Sequence, residues 1–322
     1  MKNLIAGARR IAEACMRIRQ GEEALIIVEE YARPTRFGQA FCEAIRDLGA
    51  QVTTVTMPRR YSDSQEPPKT VAMVMKSVDV MLIITEYYAP FHTTATKEAI
   101  QSGVRYYGLV GVTEEEIEGD LSLNDLRTIE SRTGRIVEIL SEANHCRVRS
   151  PKGTDLEFQL SGRKGVAIQP LVGFLLPYYA EAAISPLEGT GKGRLVIDGE
   201  IIGWGSILEE PIELFIEKGR IVKVGGDNGE ANRMRNILAS HQNADNCPAE
   251  LGIGTSHLVE SGLKGTRMDA AKCGRVHIAF GRNDTIGGTV ASEIHSDGLI
   301  LLPSVEVDGR FIVKNGVFVS SL

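Results

Sequence analysis

The first 110 residues alternate between short apolar runs and segments with helical spacing. Predicted strands cover residues 24–28, 52–57, 78–84 and 105–110, and predicted helices cover residues 35–48, 70–76 and 93–102. A parallel pair of strands needs a crossover of roughly a dozen residues or more, whereas a tight turn joins only antiparallel strands. The alternation therefore predicts an open, mainly parallel sheet with right-handed crossovers and helices on both faces.

The rest of the chain has a different pattern. A chain of 322 residues exceeds the size at which one hydrophobic core usually stops growing, so we expect two domains. After a long charged helix predicted at 124–143, short strands joined by glycine-containing turns are predicted at 147–149, 156–160, 194–198, 212–217 and 221–224. The fold class predicted is α/β, with a βαβ-type α/β domain at 1–145 and an α+β domain with a partly antiparallel sheet at 146–322.

Composition and charge disfavour several classes of function. The formal net charge is −6 and the sequence pI is near 5.7, which disfavours nucleic-acid binding. The sequence has no stretch of roughly 18 apolar residues that could span a membrane, and its charged first segment does not resemble a signal peptide. The 5 cysteines form no CxxC pair, so neither a disulfide framework nor a zinc ribbon is indicated. We therefore expect a soluble cytoplasmic protein with no nucleic-acid or membrane partner.

A nucleotide site has to be considered because open parallel sheets bind ligands at the carboxyl ends of their strands. The first predicted strand is followed by Glu29 and Glu30, without a GxGxxG fingerprint. Two carboxylates repel a pyrophosphate, and the sequence contains no P-loop. We therefore predict no nucleotide cofactor.

Two histidines near the C-terminus occupy unusual positions in predicted strands. Within residues 275–280 the apolar side chains share one face, which leaves His277 on the opposite face. His295 and Asp297 stand two residues apart, so an extended backbone points both to the same side. An imidazole beside a carboxylate is a natural ligand pair for Zn²⁺, Co²⁺, Mn²⁺ or Fe²⁺. The alternative for this pair alone is a buried histidine hydrogen-bonded to Asp297.

Two glutamates also have mainly apolar sequence neighbours. Glu181 lies in the run 178–184 and Glu250 in the run 248–254, and both runs have the composition of buried segments. A carboxylate in apolar surroundings is costly unless a cation compensates its charge. A divalent metal is one such cation, and a structural ion pair with Arg163, Arg194 or Arg267 is the other possibility.

The order of these segments resembles the aminopeptidase T and aminopeptidase S family of metallopeptidases. The resemblance rests on residues 179–186, 249–252, 276–281 and 295–297 and extends from the first helix to the C-terminus. It implies that Glu181, Glu250, His277, His295 and Asp297 bind two divalent ions such as Zn²⁺, Co²⁺ or Mn²⁺, with Glu250 bridging the metals or acting as the general base. It also implies hydrolysis of an N-terminal peptide or small amide bond by a metal-activated water, and a homodimer.

The chain departs from that family at Asp284. The family has a functional tyrosine seven residues after the histidine that corresponds to His277, and this chain has Asp284 there. Either Asp284 takes another role, such as binding a substrate amine, or the substrate is not a peptide. We accordingly assign Glu250 and Asp284 as catalytic residues, with a small molecule or short peptide as substrate.

A second branch of the same superfamily provides an alternative function. That branch is the 2,5-dihydroxypyridine 5,6-dioxygenase type, which opens an aromatic ring with one Fe²⁺. It has a histidine at the position where this chain has Glu250. A catalytically silent metal-binding homologue is the third possibility. The five candidate ligands favour a dinuclear hydrolase over a mononuclear oxygenase, and metal analysis separates the three.

Overall fold

The computed structural model describes residues 1–319 except residues 89, 172, 176, 203 and 205. Contacts between Cα atoms divide the chain into two compact units. The first consists of Met1–Glu130 and Ile168–Tyr179, and the second of Ser131–Ala167 and Ala180–Leu322. Among the described residues, no helix combines the length and apolar character needed to cross a membrane.

The first unit is a parallel sheet with helical crossovers. Its strands are β1 (Glu23–Glu29), β2 (Gln51–Met57), β3 (Val80–Thr85), β4 (Arg105–Val110) and β8 (Phe174–Leu175), in the spatial order β2-β1-β3-β4-β8. Its helices are α1 (Lys2–Ile11), which continues into a π-helical turn (Ala12–Met16), α2 (Ala32–Asp47), α3 (Lys69–Val74), α4 (Thr94–Gln101), α5 (Glu114–Glu118) and the start of α6 (Leu123–Glu142). Each described pair of neighbouring strands in this sheet is parallel.

Strand β1 lies in the interior of this sheet and is buried on both faces. Ile26 and Val28 belong to one hydrophobic cluster, whereas Leu25 and Ile27 belong to another. Alternate side chains of a strand point to opposite faces, so helices must cover both sides of the sheet. This double burial explains why the strand reads as a continuous apolar run in the sequence.

The second unit contains two sheets. The eight-stranded sheet has the order β12-β11-β10-β6-β5-β16-β17-β18, and the five-stranded sheet has the order β15-β14-β13-β9-β7. The strands are β5 (His145–Arg149), β6 (Asp155–Gln159), β7 (Val166–Ile168), β9 (Glu181–Ile184), β10 (Lys192–Ile197), β11 (Ile212–Glu217), β12 (Arg220–Gly225), β13 (Glu250–Gly254), β14 (Val276–Gly281), β15 (His295–Ile300), β16 (Ser304–Val307), β17 (Arg310–Lys314) and β18 (Val317–Phe318), and the helices are α7 (Gly229–Ser240) and α8 (Met268–Ala271). Both sheets contribute side chains to one hydrophobic cluster.

The predicted α/β fold class is confirmed, with a parallel sheet followed by antiparallel sheets. The compact units differ from the predicted boundary at 145/146 in two respects. The first division falls at 130/131, inside α6, and residues 168–179 return to the first unit. The reason for this return is that β8 adds to the parallel sheet beside β4. Two residues are too short to show a period, so sequence periodicity alone could not predict this strand.

Two helical glycines allow a matched test of packing in this fold. A β-carbon at Gly7 in α1 would lie 2.1 Å from the carbonyl oxygen of Ile117, whereas one at Gly134 in α6 would meet nothing within 4 Å. Gly7→Ala should lower the free energy of unfolding by about 1–3 kcal/mol because backbone has to move. Gly134→Ala should raise it by about 1 kcal/mol through helix propensity. Thermal denaturation followed by circular dichroism measures both, and shifts of the same sign would contradict the packing described.

Candidate metal centre

The five predicted ligands lie on one face of the antiparallel sheet β15-β14-β13-β9-β7 in the second unit. Glu181 is on β9, Glu250 on β13, His277 on β14, and His295 and Asp297 on β15. Cross-strand partners point to the same face: Gly252 pairs with His277, and Ala279 pairs with both Glu250 and Asp297. All five ligand candidates are at most 9% exposed. The structure therefore brings together residues that are up to 116 positions apart in the sequence (297 − 181).

The opposite face of the same strands is apolar. Burial of this apolar face determines which side chains point to the polar face. Its residues belong to the main hydrophobic cluster of the second unit: Ala182, Ile184, Leu251, Ile253, Val276, Ile278, Phe280 and Ile300. A shift of one residue in the register of any of these strands would turn its ionisable side chains into that cluster. The apolar alternation thus fixes the register that assembles the site.

The absence of a side chain at Gly252 leaves space for the imidazole ring of His277. A β-carbon at Gly252 would lie 2.0 Å from Cε1 and 2.2 Å from Nε2 of His277, so this position needs glycine. With no side chain on Gly252, the imidazole lies across β13. Its Nδ1 is 3.6 Å from Oε2 of Glu181, and its Nε2 is 3.8 Å from Oε1 of Glu250.

Glu250 stands between the two histidines and faces each with a different oxygen. Its Oε1 faces Nε2 of His277, and its Oε2 is 3.2 Å from Nε2 of His295. Asp297 Oδ1 completes the group at 3.0 Å from Nε2 of His295 and 4.0 Å from Nε2 of His277. A carboxylate with its two oxygens turned to two imidazoles has the arrangement of a bridging ligand.

The tautomer of His295 follows from its second ring nitrogen. Nδ1 donates a hydrogen bond to the carbonyl oxygen of Arg282, at 2.7 Å, and a carbonyl can only accept. Nε2 therefore carries either a lone pair or a second proton where it faces Glu250 and Asp297. A backbone carbonyl in this position is a common way of orienting a histidine that binds a metal.

Mutual attraction shifts the pKa values within the cluster. Burial alone would lower the pKa of His277, but the carboxylates of Glu181, Asp297 and Glu250 raise it to about 9. Burial likewise opposes the charge on His295, whose pKa is nevertheless held well above its usual value by Asp297 and Glu250. Burial would raise the pKa of Glu250, but the two imidazoles that face its carboxylate lower it to about 2. Without a metal ion, protons on the imidazoles compensate the carboxylates.

The residues present fit a divalent metal ion. Three carboxylates and two imidazoles form the donor set, and one ligand atom each from Glu181, Glu250 and His277 lie within 4.8 Å of one another. Nδ1 of His277 is buried and makes no hydrogen bond among the described residues. Buried polar atoms without hydrogen bonds are costly, and coordination would satisfy them.

Asp284, the other predicted catalytic residue, lies in the connection between β14 and β15. Its carboxylate accepts hydrogen bonds from the guanidinium of Arg282, at 2.6 Å from Nε and 3.3 Å from Nη2. The same Arg282 offers its carbonyl to His295. Asp284 is thus linked to the cluster through Arg282, a connection that the sequence did not reveal.

The sequence analysis missed a further buried carboxyl group, that of Glu200, on the same sheet face as the predicted ligands. The backbone of Glu200 bonds to Leu299 and that of Ile202 to Asp297, which adds a short stretch to the outer edge of β15. Glu200 is 1% exposed, and its Oε1 makes no hydrogen bond to any residue that the structure describes. Burial, followed by repulsion from Asp269, raises its pKa to about 8. A glutamate beside Ile201 and Ile202 was the available signal, the same one that identified Glu181.

Two solved structures are similar to the whole chain. The structure of 2,5-dihydroxypyridine dioxygenase from Pseudomonas putida has a TM-score of 0.79 at 18% identity, covering 98% of this chain and 97% of that one. Wild-type AmpT from Thermus thermophilus has a TM-score of 0.70 at 18% identity, covering 99% of both chains. At this identity the likeness establishes the fold alone. No curated protein matches the sequence.

A family model covers almost the entire sequence. It is described as NicX, 2,5-dihydroxypyridine 5,6-dioxygenase, and it matches residues 3–320. The match includes every strand that contributes to the polar face of the five-stranded sheet. The chain therefore belongs to the NicX family.

Proposed function

We propose that the protein is a metal-dependent hydrolase whose centre holds two divalent cations. The main support for this proposal is the position of Glu250: its two carboxylate oxygens face the imidazoles of two different histidines. Three carboxylates carry a formal charge of −3, so one divalent cation would leave a net negative charge in this buried cluster. Five donors arranged around the central carboxylate of Glu250 are a ligand set that two divalent cations could share.

The ligands divide into two groups that share Glu250. Glu181 and His277 would hold one cation, His295 and Asp297 would hold the other, and Glu250 would contact both. Zn²⁺, Co²⁺ and Mn²⁺ accept this mixture of carboxylate and imidazole ligands. When bound, such a pair supplies Lewis acidity and lowers the pKa of water near the substrate carbonyl.

Among the chain's own residues, Glu250 also takes the role of proton acceptor. In the metal-free cluster the two imidazoles keep Glu250 ionised at neutral pH, and the ionised carboxylate is the form that can accept a proton from an attacking water. Arg282 orients His295 through its carbonyl, and Asp284 holds the guanidinium of Arg282. We assign Asp284 a positioning role through this pair, in place of the tyrosine found in the aminopeptidases.

The substrate class is a small amide or an N-terminal peptide bond. This assignment rests on the resemblance to aminopeptidase T and on the five-ligand set, both of which favour hydrolysis. Because the tyrosine is replaced by Asp284, activity on leucyl amides is expected to be weaker than on the preferred substrate.

A second candidate function is supported by membership of the NicX family. His277, His295 and Asp297 form a set of two histidines and one carboxylate, which is the ligand set of many non-haem Fe²⁺ oxygenases. The alternative reaction is oxidative opening of a dihydroxylated aromatic ring. A catalytically silent homologue would bind metal and show neither activity.

Metal uptake tests the ligand assignment. His295→Ala and Asp297→Ala should each lower the affinity for Zn²⁺ or Mn²⁺ by at least the roughly 10- to 100-fold seen when supporting groups of metal sites are lost. The matched control is His145→Ala, because His145 contacts Glu157 in a partly exposed pair of the eight-stranded sheet, away from the predicted ligands. Titration calorimetry on protein freed of metal measures the affinities. Equal affinities for the wild type and all three variants would contradict the assignment.

The pH dependence of metal uptake follows from the raised histidine pKa values. Since the pKa of His277 is about 9 in the metal-free protein, an incoming cation has to displace a proton from the ring at lower pH. The apparent affinity should therefore rise with pH and level off above that value. Calorimetry in two buffers with different ionisation enthalpies should detect proton release near neutral pH, and uptake without proton release would contradict this description.

The choice of reaction is tested with the metal-loaded enzyme and a panel of aminoacyl amides and dipeptides. Hydrolysis should proceed equally in air and under argon, and Glu250→Gln should lower turnover by roughly 10²- to 10⁴-fold, the usual effect of losing an acid-base group. Glu157→Gln is the matched control, and metal content is measured on each variant.

The opposite outcome is equally specific. Oxygen consumption with a dihydroxylated aromatic substrate, together with one bound Fe²⁺ per chain, would overturn the hydrolase assignment and select the oxygenase. Metal binding without either activity would select the silent homologue.

A further inference from the structure

Three exposed tyrosines surround one arginine at the carboxyl ends of the parallel strands. Tyr31 follows β1 and Tyr87 follows β3, and the chain after β2 carries both Arg59 and Tyr61. The guanidinium carbon of Arg59 is 4.6 Å from the ring centroid of Tyr87 and 5.3 Å from that of Tyr61. The Tyr31 ring lies 6.0 Å away. These four residues form the Arg59 cluster, and tyrosine and arginine are the residue types enriched at binding surfaces.

The Arg59 cluster lies where an open parallel sheet usually binds ligands. From β1 the chain crosses to β2 at the edge of the sheet, whereas from β3 it crosses to β4 on the other side. Connections that leave neighbouring strands in opposite directions open a crevice outside the carboxyl ends of those strands. Tyr31 and Tyr87 lie at the start of these two connections, so they flank the position of the crevice.

A buried carboxylate holds together the loops that carry the Arg59 cluster. Glu29 is fully buried at the end of β1. One of its oxygens accepts a hydrogen bond from the backbone N–H of Arg60, at 3.2 Å, and the other accepts one from the backbone N–H of Glu86, at 2.9 Å. Arg60 and Glu86 are the chain neighbours of Arg59 and Tyr87. The cluster is therefore positioned by buried hydrogen bonds and does not depend on the exposed rings alone.

Arg59 offers a positive charge that no carboxylate of the described residues pairs with. It forms no salt bridge within the described part of the chain, and its Nε is buried there without a hydrogen bond. The neighbouring arginines are engaged, because Arg33 is paired with Glu86 and Arg60 donates to two backbone carbonyl oxygens. One guanidinium thus remains for an incoming anion, and its single charge matches a monoanion.

We propose that the Arg59 cluster binds a small aromatic carboxylate. The guanidinium fork pairs with the carboxylate, and the exposed tyrosine rings contact the aromatic ring of the ligand. A phosphate ester carries roughly −1.5 to −2 charges at neutral pH, which would call for more than the one free guanidinium described. The site is independent of the metal centre and of the reaction proposed there.

Fluorine NMR with 4-fluorobenzoate measures this binding on the whole protein. The wild type should bind the probe, and Arg59→Gln should bind it at least roughly tenfold more weakly because a charged hydrogen-bonded pair is lost. The matched control is Arg149→Gln, since Arg149 also contacts an aromatic ring but is already paired with Glu306. A wild type that does not bind at millimolar concentration, or equal binding by Arg59→Gln, overturns the proposal.

A second variant tests the rings and serves if Arg59→Gln does not fold. Tyr61 is the most exposed of the three tyrosines, so its replacement leaves the core intact. Tyr61→Leu should weaken binding of 4-fluorobenzoate by about two- to tenfold, the usual contribution of an aromatic pair. Binding by Tyr61→Leu that equals the wild type would overturn the role of the rings.

Competition with unlabelled compounds tests the ligand class. Benzamide, which lacks the charge, and cyclohexanecarboxylate, which lacks the aromatic ring, should each displace the probe less effectively than benzoate. Stronger displacement by phenyl phosphate would overturn the assignment to carboxylates. His295→Ala should bind the probe as the wild type does. Loss of binding in His295→Ala but not in Arg59→Gln would place the probe on the metal and overturn the proposal.

Discussion

The attraction between buried carboxylates and imidazoles on one sheet face is the interaction on which the second unit depends. Three acids and two histidines share a surface from which water is largely excluded, and each is unfavourable there without a partner of opposite charge. In the metal-free protein the compensating charges are protons on His277 and His295. Divalent cations can take the place of these protons, which couples metal binding to the stability of the sheet.

In this sheet, apolar side chains point to one side and the ionisable side chains point to the other. The apolar side of β9, β13, β14 and β15 enters the main hydrophobic cluster, and the same alternation directs the ligands to the other side. Gly252 and Ala279 keep the polar side free where the His277 ring and the two acids beside Ala279 approach. The site is therefore carried by regular strands, which hold side chains more rigidly than loops do.

Much of this arrangement could be predicted from local sequence. The alternation of apolar runs and helical spacing predicted the parallel sheet, because strands buried on both faces and the helices between them leave separate periods. The two-residue spacing of His295 and Asp297 placed both on one side of a strand. The apolar neighbours of Glu181 and Glu250 marked them as costly to bury, so they were candidates for a shared cation.

What sequence could not predict depends on contacts between distant segments. The return of β8 to the first sheet and the addition of Glu200 beside β15 involve very short pairings without a period of their own. The link from Asp284 through Arg282 to His295 uses a backbone carbonyl, which is present at every position and so leaves no compositional signal. Such features become visible only when the register of the sheet is known.

The difference between the two candidate reactions lies in Glu250. A glutamate there can bridge two cations and carry a proton, whereas the oxygenase branch is expected to have a neutral histidine that leaves one iron with open positions. The most direct test is anomalous diffraction from crystals equilibrated with Mn²⁺. The account predicts two peaks about 3.5 to 4 Å apart, with Glu250 bound to both. A single peak held by His295 and Asp297, with Glu250 not coordinated, would contradict it.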